Sequence, residues 1–195
     1  MTSGALRMFA ALVPPTEAVD DLEEFLEPRR AAAPFRWAGS EQLHVTLAFL
    51  AAVEERRLDD LAERLARAAA RRTSFETAIA GGGAFPNAGR ARVLWAGLDL
   101  DDTGRTELDR LATGCRAAAG RAGIDVDGQR FRPHLTVARI GHPSEVSDWV
   151  RLLDGYAGPR WTADRITLVA SYLGEGPRGR PRYEEIGEFD LAPGV

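Results

Sequence analysis

One short pattern occurs twice in this chain. Leu43-His44-Val45-Thr46-Leu47-Ala48-Phe49 is echoed, nearly half the chain later, by Pro133-His134-Leu135-Thr136-Val137-Ala138-Arg139. Both segments read as strands, at 43–50 and 131–140. Side chains alternate faces along a strand. His44 and Thr46 therefore share one face, and Leu43, Val45 and Leu47 the other. His134 and Thr136 likewise oppose Leu135 and Val137. Each strand can bury its apolar face, while the opposite face presents an imidazole beside a hydroxyl. An aromatic-arginine element precedes each: Phe35-Arg36-Trp37 upstream of the first and Phe131-Arg132 directly before the second. A duplicated, two-lobed fold leaves this kind of echo.

The rest of the chain supplies elements for such a fold. Strands are expected at 7–13, 35–37, 74–80, 91–98, 165–172 and 183–191. A helix capped by Thr16 carries Val19, Leu22, Phe25 and Leu26 at helical spacing and stops at Pro28. Further helices are expected at 54–72 (Leu58, Leu61, Leu65, Ala68 inward), 102–120 (Leu108, Leu111, Cys115, Ala118 inward) and 144–156 (Val146, Trp149, Val150, Leu153 inward). Gly81-Gly82-Gly83 predicts a break in regular structure, and residues 85–89 a turn. Adjacent strand pairs mixed with helices indicate α+β with antiparallel sheets. The expected architecture is one bilobal domain over residues 1–195, with two antiparallel sheets flanking a central cleft, helices outside, and one His-x-Thr motif per lobe.

Composition narrows the function. The chain has 195 residues, 45% hydrophobic and 28% charged, as soluble globular proteins have. No stretch approaches the roughly 18 apolar residues that span a bilayer, so no membrane association is expected. Residues 1–7 lack a charged start leading into a long apolar run, and 8–13 is too short for a signal-peptide core. One cysteine, Cys115, excludes an internal disulfide and a cysteine-based zinc site. A cytoplasmic location is expected. Cys115 lies on the inward stripe of its helix and reads as core. The net charge is −4, which does not suit a protein coating nucleic acid through a large basic excess. All 25 basic residues are arginine, which excludes Schiff-base and P-loop lysine chemistry.

Two His-Thr units suit acid-base chemistry at a phosphate. An imidazole titrates near pH 6.5, so one can act neutral and the other protonated. Threonine hydroxyls donate hydrogen bonds to phosphate oxygens. The chemistry implied is in-line displacement at phosphorus without a metal or other cofactor. A metal site fits poorly, because neither histidine has a second ligand at a suitable spacing. The third histidine, His142, sits in Gly141-His142-Pro143 and reads as a solvated loop residue. Trp37, Phe49 and Trp95 could stack on a base but read as core residues.

These residues resemble the two-histidine (2H) phosphoesterase superfamily, which carries two His-x-Thr/Ser-x motifs in a duplicated bilobal fold. Within it the chain is most similar to the RNA 2′,3′-cyclic phosphodiesterases, also called 2′-5′ RNA ligase-type proteins. Met8-Phe9-Ala10-Ala11, Arg36-Trp37, Gly83-Ala84-Phe85-Pro86-Asn87, Arg92-Val93-Leu94-Trp95-Ala96-Gly97 and Phe131-Arg132 extend the resemblance beyond the motifs. It implies hydrolysis of a terminal ribose 2′,3′-cyclic phosphate to a 2′-phosphate, and 2′-5′ joining of RNA ends in the reverse sense. It assigns His44 as proton donor to the leaving 3′-oxygen and His134 as the acceptor that activates water. Thr46, Thr136 and Arg139 match phosphate-contacting positions. On an unbroken strand Arg139 would face away from His134, whereas Arg132 would share its face. A twist or strand end could bring Arg139 around, so both arginines are candidates. Substrates implied are RNA ends or small 2′,3′-cyclic nucleotides, handled by a monomer. A nucleotide- or RNA-binding module that keeps the fold without catalysis is the alternative, as is a metal-dependent hydrolase.

Overall fold

The computed structural model describes residues 4–194. The reading of the first three residues lies outside that range. Among the described residues, nine strands and four α-helices follow in the order β1 (Leu6–Leu12), α1 (Thr16–Leu26), β2 (Arg36–Trp37), β3 (Val45–Val53), α2 (Leu58–Ala70), β4 (Phe75–Phe85), β5 (Ala91–Asp99), α3 (Asp102–Arg121), β6 (Leu135–Ser144), α4 (Ser147–Asp154), β7 (Ala157–Ala163), β8 (Arg165–Tyr172) and β9 (Arg182–Asp190). Among the described residues, no helix is long and apolar enough to cross a membrane.

The strands form one curled antiparallel sheet in the order β7-β4-β5-β6-β3-β1-β8-β9, with β2 added beside β6. It is built as two four-stranded halves. The seam between them is a single pair, Val45 with Leu135. The expected two sheets are thus present as halves joined at one point. The halves are not the N- and C-terminal parts of the chain. One combines β1 and β3 with β8 and β9, and the other takes β4 to β7. Beyond the seam, the segment upstream of each motif crosses to the other half. Arg36 and Trp37 pair with Arg139 and Ala138 on β6, and Val126 bridges Leu50 on β3.

The helices cover one face. Helices α1 and α4 pack on β4, with α1 reaching β7 and α4 reaching β5, while α2 and α3 pack on β9 and β3. Strand β1 shows how the period sorts side chains. Met8, Ala10 and Leu12 join the main core beneath the helices, whereas Phe9 and Ala11 form a small separate cluster with Val169 on the opposite face. That second face, lacking helices, is the one to which Phe49 and Tyr183 also pack.

Several expectations shift. Strand β4 runs through Gly81-Gly82-Gly83 instead of breaking there. These glycines make room for neighbours. A Cβ on Gly83 would collide with the Trp95 ring and one on Gly82 with Leu153, while Gly81 has φ +71° at a register shift. Strand β7 was hidden by Gly158 and Pro159, which an edge strand tolerates. Pro15, not Thr16, occupies the N-cap of α1. Helix α4 is shorter than its apolar spacing suggests, because β6 extends through His142 to Ser144. His142 is therefore on a strand, and it is exposed.

Candidate active site

Both motif histidines stand one residue before their strands, at the N-terminal ends of β3 and β6. The sequence placed them inside the strands; the structure places them at the seam. Antiparallel pairing of Val45 with Leu135 sets the next residues against each other crosswise. His44 lies opposite Thr136, and Thr46 opposite His134. All four point to the face away from the Val45–Leu135 pair.

Each strand then carries a bulge at the same motif position. Thr46 pairs with Ala11 and Ala48 with Ala10, leaving Leu47 as the extra residue. Thr136 pairs with Trp95 and Ala138 with Leu94, leaving Val137 as the extra residue. A bulge shifts the side-chain alternation by one. Accordingly Leu47 and Ala48 are both buried, as are Val137 and Ala138. Arg139 is returned to the face of His134 and Thr136, and Phe49 to the face of His44 and Thr46. The conflict over Arg139 in a regular strand is removed by the bulge. Arg132 is exposed, and its carbonyl, not its guanidinium, contacts His134.

The two imidazoles are held alike. Nδ1 of His44 donates to the Gln42 carbonyl at 2.8 Å, and Nδ1 of His134 to the Arg132 carbonyl at 2.7 Å. Each bond fixes the tautomer and leaves the Nε2 lone pair toward the cleft. The Thr46 hydroxyl donates to Nε2 of His44 at 3.1 Å. Burial pushes the pKa of His44 down to about 4, opposed by its bond to Gln42 and reinforced by the charges of His134 and Arg139. His134 is also lowered, first by burial, with Arg139 adding to it and the bond to Arg132 opposing. Arg139 also lowers the pKa of Tyr183, although burial leaves that phenol raised overall. One guanidinium thus acts on both imidazoles.

Aromatic walls flank this centre. His44 stacks on Phe9 at 4.4 Å and meets the edge of Tyr183 at 5.7 Å. Phe85 stands edge-on to His134 at 4.8 Å, and Trp95 lies 6.1 Å from it. Of the three aromatics read as core, Trp37 is buried against Phe35 and Trp149. Phe49 and Trp95 instead belong to the histidine face: the bulge at Leu47 returns Phe49 to it, and Trp95 pairs directly with Thr136. Sequence reasoning missed Phe9, Phe85 and Tyr183. Phe9 sits in an apolar run with no visible phase, and Tyr183 is brought to His44 by the pairing of β8 with β9. Arg7 lies over the Phe49 ring at 4.3 Å, adding a second cation to this wall.

Such an arrangement offers two acid-base nitrogens, two hydroxyls and a guanidinium around one small volume, the set required to move protons at a bound phosphate. Among the described residues, no three His, Cys, Asp or Glu side chains gather as a metal-ion cluster. Cys115 is fully buried and its thiol is pushed up to about 12 by desolvation, which makes it inert.

Comparison with known proteins gives consistent matches. A family model described as the 2′-5′ RNA ligase superfamily matches residues 14–175. The RNA 2′,3′-cyclic phosphodiesterase of Archaeoglobus fulgidus is 32% identical over 186 residues, covering 95% of this chain and 100% of that protein. A protein of the same description from Geobacillus stearothermophilus is 32% identical over 94% of this chain, which spans 56% of its length. The crystal structure of E. coli LigT in apo form is similar with a TM-score of 0.76 at 25% identity, covering 97% of this chain and 99% of that one.

Proposed function

The chain belongs to the 2′-5′ RNA ligase superfamily, and from that premise we propose that it is an RNA 2′,3′-cyclic phosphodiesterase working without a metal ion. The substrate is a terminal ribose 2′,3′-cyclic phosphate on an RNA end or a small nucleotide. The reading takes the protein as one bilobal, monomeric, cytoplasmic unit with a His-x-Thr motif in each half. It is supported above all by the matched imidazoles, each anchored through Nδ1 on the carbonyl two residues before it, with Arg139 acting on both.

Nε2 of His134 takes a proton from water as the water oxygen attacks phosphorus. The bond from phosphorus to the 3′-oxygen breaks in line. Protonated Nε2 of His44 gives its proton to that oxygen, leaving a 2′-phosphate and a 3′-hydroxyl. Thr46 and Thr136 donate to the non-bridging oxygens, and Arg139 offsets the charge that builds on them. His44 is neutral near pH 7 in the free protein. The arriving anionic phosphate counters Arg139 and raises the imidazole pKa, so substrate binding itself loads the acid. A ribose 5′-hydroxyl in place of water would give a 2′-5′ linkage.

The test is an oligoribonucleotide ending in 2′,3′-cyclic phosphate, incubated with and without excess EDTA, with the product read by phosphorus NMR. A 2′-phosphate at equal rates in both is expected. A 3′-phosphate product, or activity lost with EDTA, contradicts the mechanism. Binding without turnover would identify a non-catalytic RNA-binding module.

A further inference from the structure

The helices on the far side of the sheet enclose a feature the cleft chemistry does not use. An open groove of about 800 Å³ runs between α2 and α3, lined by Arg64, Arg67, Arg71, Arg72, Arg110 and Arg121, with Asp109 as the one carboxylate. The whole chain carries a net charge of −4. Six of its arginines nevertheless meet here.

The arginines form two facing stripes. Arg64, Arg67 and Arg71 follow helical spacing along one face of α2 and the turn after it. Arg110 and Arg121 lie three turns apart on α3, joined by Thr113, Gly114 and Ala117, which also line the groove. The floor is small: a Cβ on Gly114 would rest 3.5 Å from Cβ of Ala68. Carboxylates neutralise the groove incompletely. Arg64 pairs with Asp60 at 2.9 Å and Arg67 with Glu63 at 3.1 Å, both within α2. Glu107 reaches Arg72 and Arg110 at 3.7 and 3.9 Å. Among the described residues, no ion pair reaches Arg71 or Arg121, both exposed. Like charges facing across a groove repel, and an anion seated between them removes that cost.

We propose that this groove binds the phosphate backbone of single-stranded RNA at a site separate from the cleft, holding the body of a molecule whose end is processed there. The partner's identity rests on the cyclic phosphodiesterase reading. No aromatic lines the groove, so bases have nothing to stack on and contact is through phosphates, independent of sequence. From Arg110 to Arg121 the cations extend about 16 Å along α3, a span suited to several successive phosphates rather than to one nucleotide.

The probe is a fluorescent single-stranded RNA with a 3′-hydroxyl end, which is no substrate, so binding is measured without turnover. Arg71→Gln/Arg121→Gln should bind it about tenfold or more weakly. Its slope of log affinity against log salt should fall by about 1.4, the value for two lost phosphate contacts on a single strand. Turnover of a mononucleotide 2′,3′-cyclic phosphate should stay at the wild-type rate. Equal RNA affinity in the two proteins overturns the proposal. Displacement of the RNA by ATP or by polyglutamate as effectively as by unlabelled RNA also overturns it. If the double variant loses mononucleotide turnover too, Arg71→Gln and Arg121→Gln singly decide by the same criteria. Absence of turnover in wild-type protein that still binds RNA through this groove would reject the enzymatic reading and leave the groove standing.

Discussion

Val45 and Leu135 are Cα partners where the two halves of the sheet meet, and each follows a motif histidine. The pair turns its own side chains into the core, both at most 1% exposed. One residue back on either strand, the imidazoles emerge on the other face. The seam and the candidate site are thus the same place, and the core packing of two apolar residues fixes where two histidines stand.

Removing either imidazole should slow catalysis strongly without unfolding the chain. A positioned acid or base contributes about 10²–10⁴-fold, so His44→Ala and His134→Ala should each lower kcat/KM by that order. The double variant should lose little more than the worse single, since both act on one transition state. Steady-state kinetics on a cyclic-phosphate substrate, with circular dichroism for folding, measures this. Near-normal turnover in either variant would remove the two-histidine mechanism.

The pH profile carries a signed expectation. Both imidazoles lie below their ordinary value of 6.5 in the free protein, His44 at about 4. One must be neutral and the other protonated, so kcat/KM should peak below pH 6.5 and fall as pH rises from there to 8. The two limbs belong to the pair. Bound phosphate raises both groups, so the kcat optimum should lie at higher pH. A kcat/KM that is level or climbing above pH 6.5 contradicts the depressed imidazoles.

Stability should respond to the same group. An unfolded His44 takes up its proton below about pH 6.5, while the folded one stays neutral until about 4. The unfolded state therefore binds more protons in this window, and stability present above 6.5 is lost as pH falls toward 4. The size is on the order of 3 kcal/mol. Denaturant melts at pH 7 and pH 4.5 should differ by less in His44→Gln than in the wild type. An unchanged difference would mean His44 is not the responsible group.

Arg139 should be needed for both charge and pKa. Arg139→Ala should cost about 10²–10³-fold in kcat/KM, as loss of one transition-state donor does. Because its charge lowers both imidazoles, the kcat/KM optimum should move to higher pH. Arg132→Ala keeps the backbone carbonyl that holds His134 and should change little. The reverse ranking of the two variants would return the phosphate role to Arg132.

Gly83 should be intolerant of any side chain. A Cβ there would overlap the Trp95 ring, which stands beside His134. Gly83→Ala should destabilise by about 1–3 kcal/mol, as overpacking does, and displace Trp95. Tryptophan fluorescence and a thermal melt report both, and a variant as stable as the wild type with unshifted emission would contradict this packing.

Local pattern carried much of this in advance. The apolar runs of β1, β5 and β8 and the apolar stripes of α2 and α3 place those elements within a few residues, because continuous strand burial and period-3.6 burial leave their mark in sequence. The paired His-Thr units pointed to the candidate site, since two such units in one chain have no use in a core. The glycine run misled: Gly81-Gly82-Gly83 is poor in strand propensity, yet Trp95 and Leu153 fill the space that the missing side chains leave. Strand β7 was hidden for a related reason, since an edge position tolerates Pro159.

What the sequence by itself determined was chemical and local: two imidazoles, each two residues from a threonine, on strands with one apolar side. The phase of Arg139, Phe49 and Trp95 was decided only in three dimensions. A bulge is a property of a strand and its partner together, and Leu47 and Val137 become extra residues only because β1 and β5 pair across them. The same holds for the seam, the walls from Phe9, Phe85 and Tyr183, and the depressed imidazoles. Each depends on which distant segments pack together, and burial, pairing register and charge proximity exist only once they have.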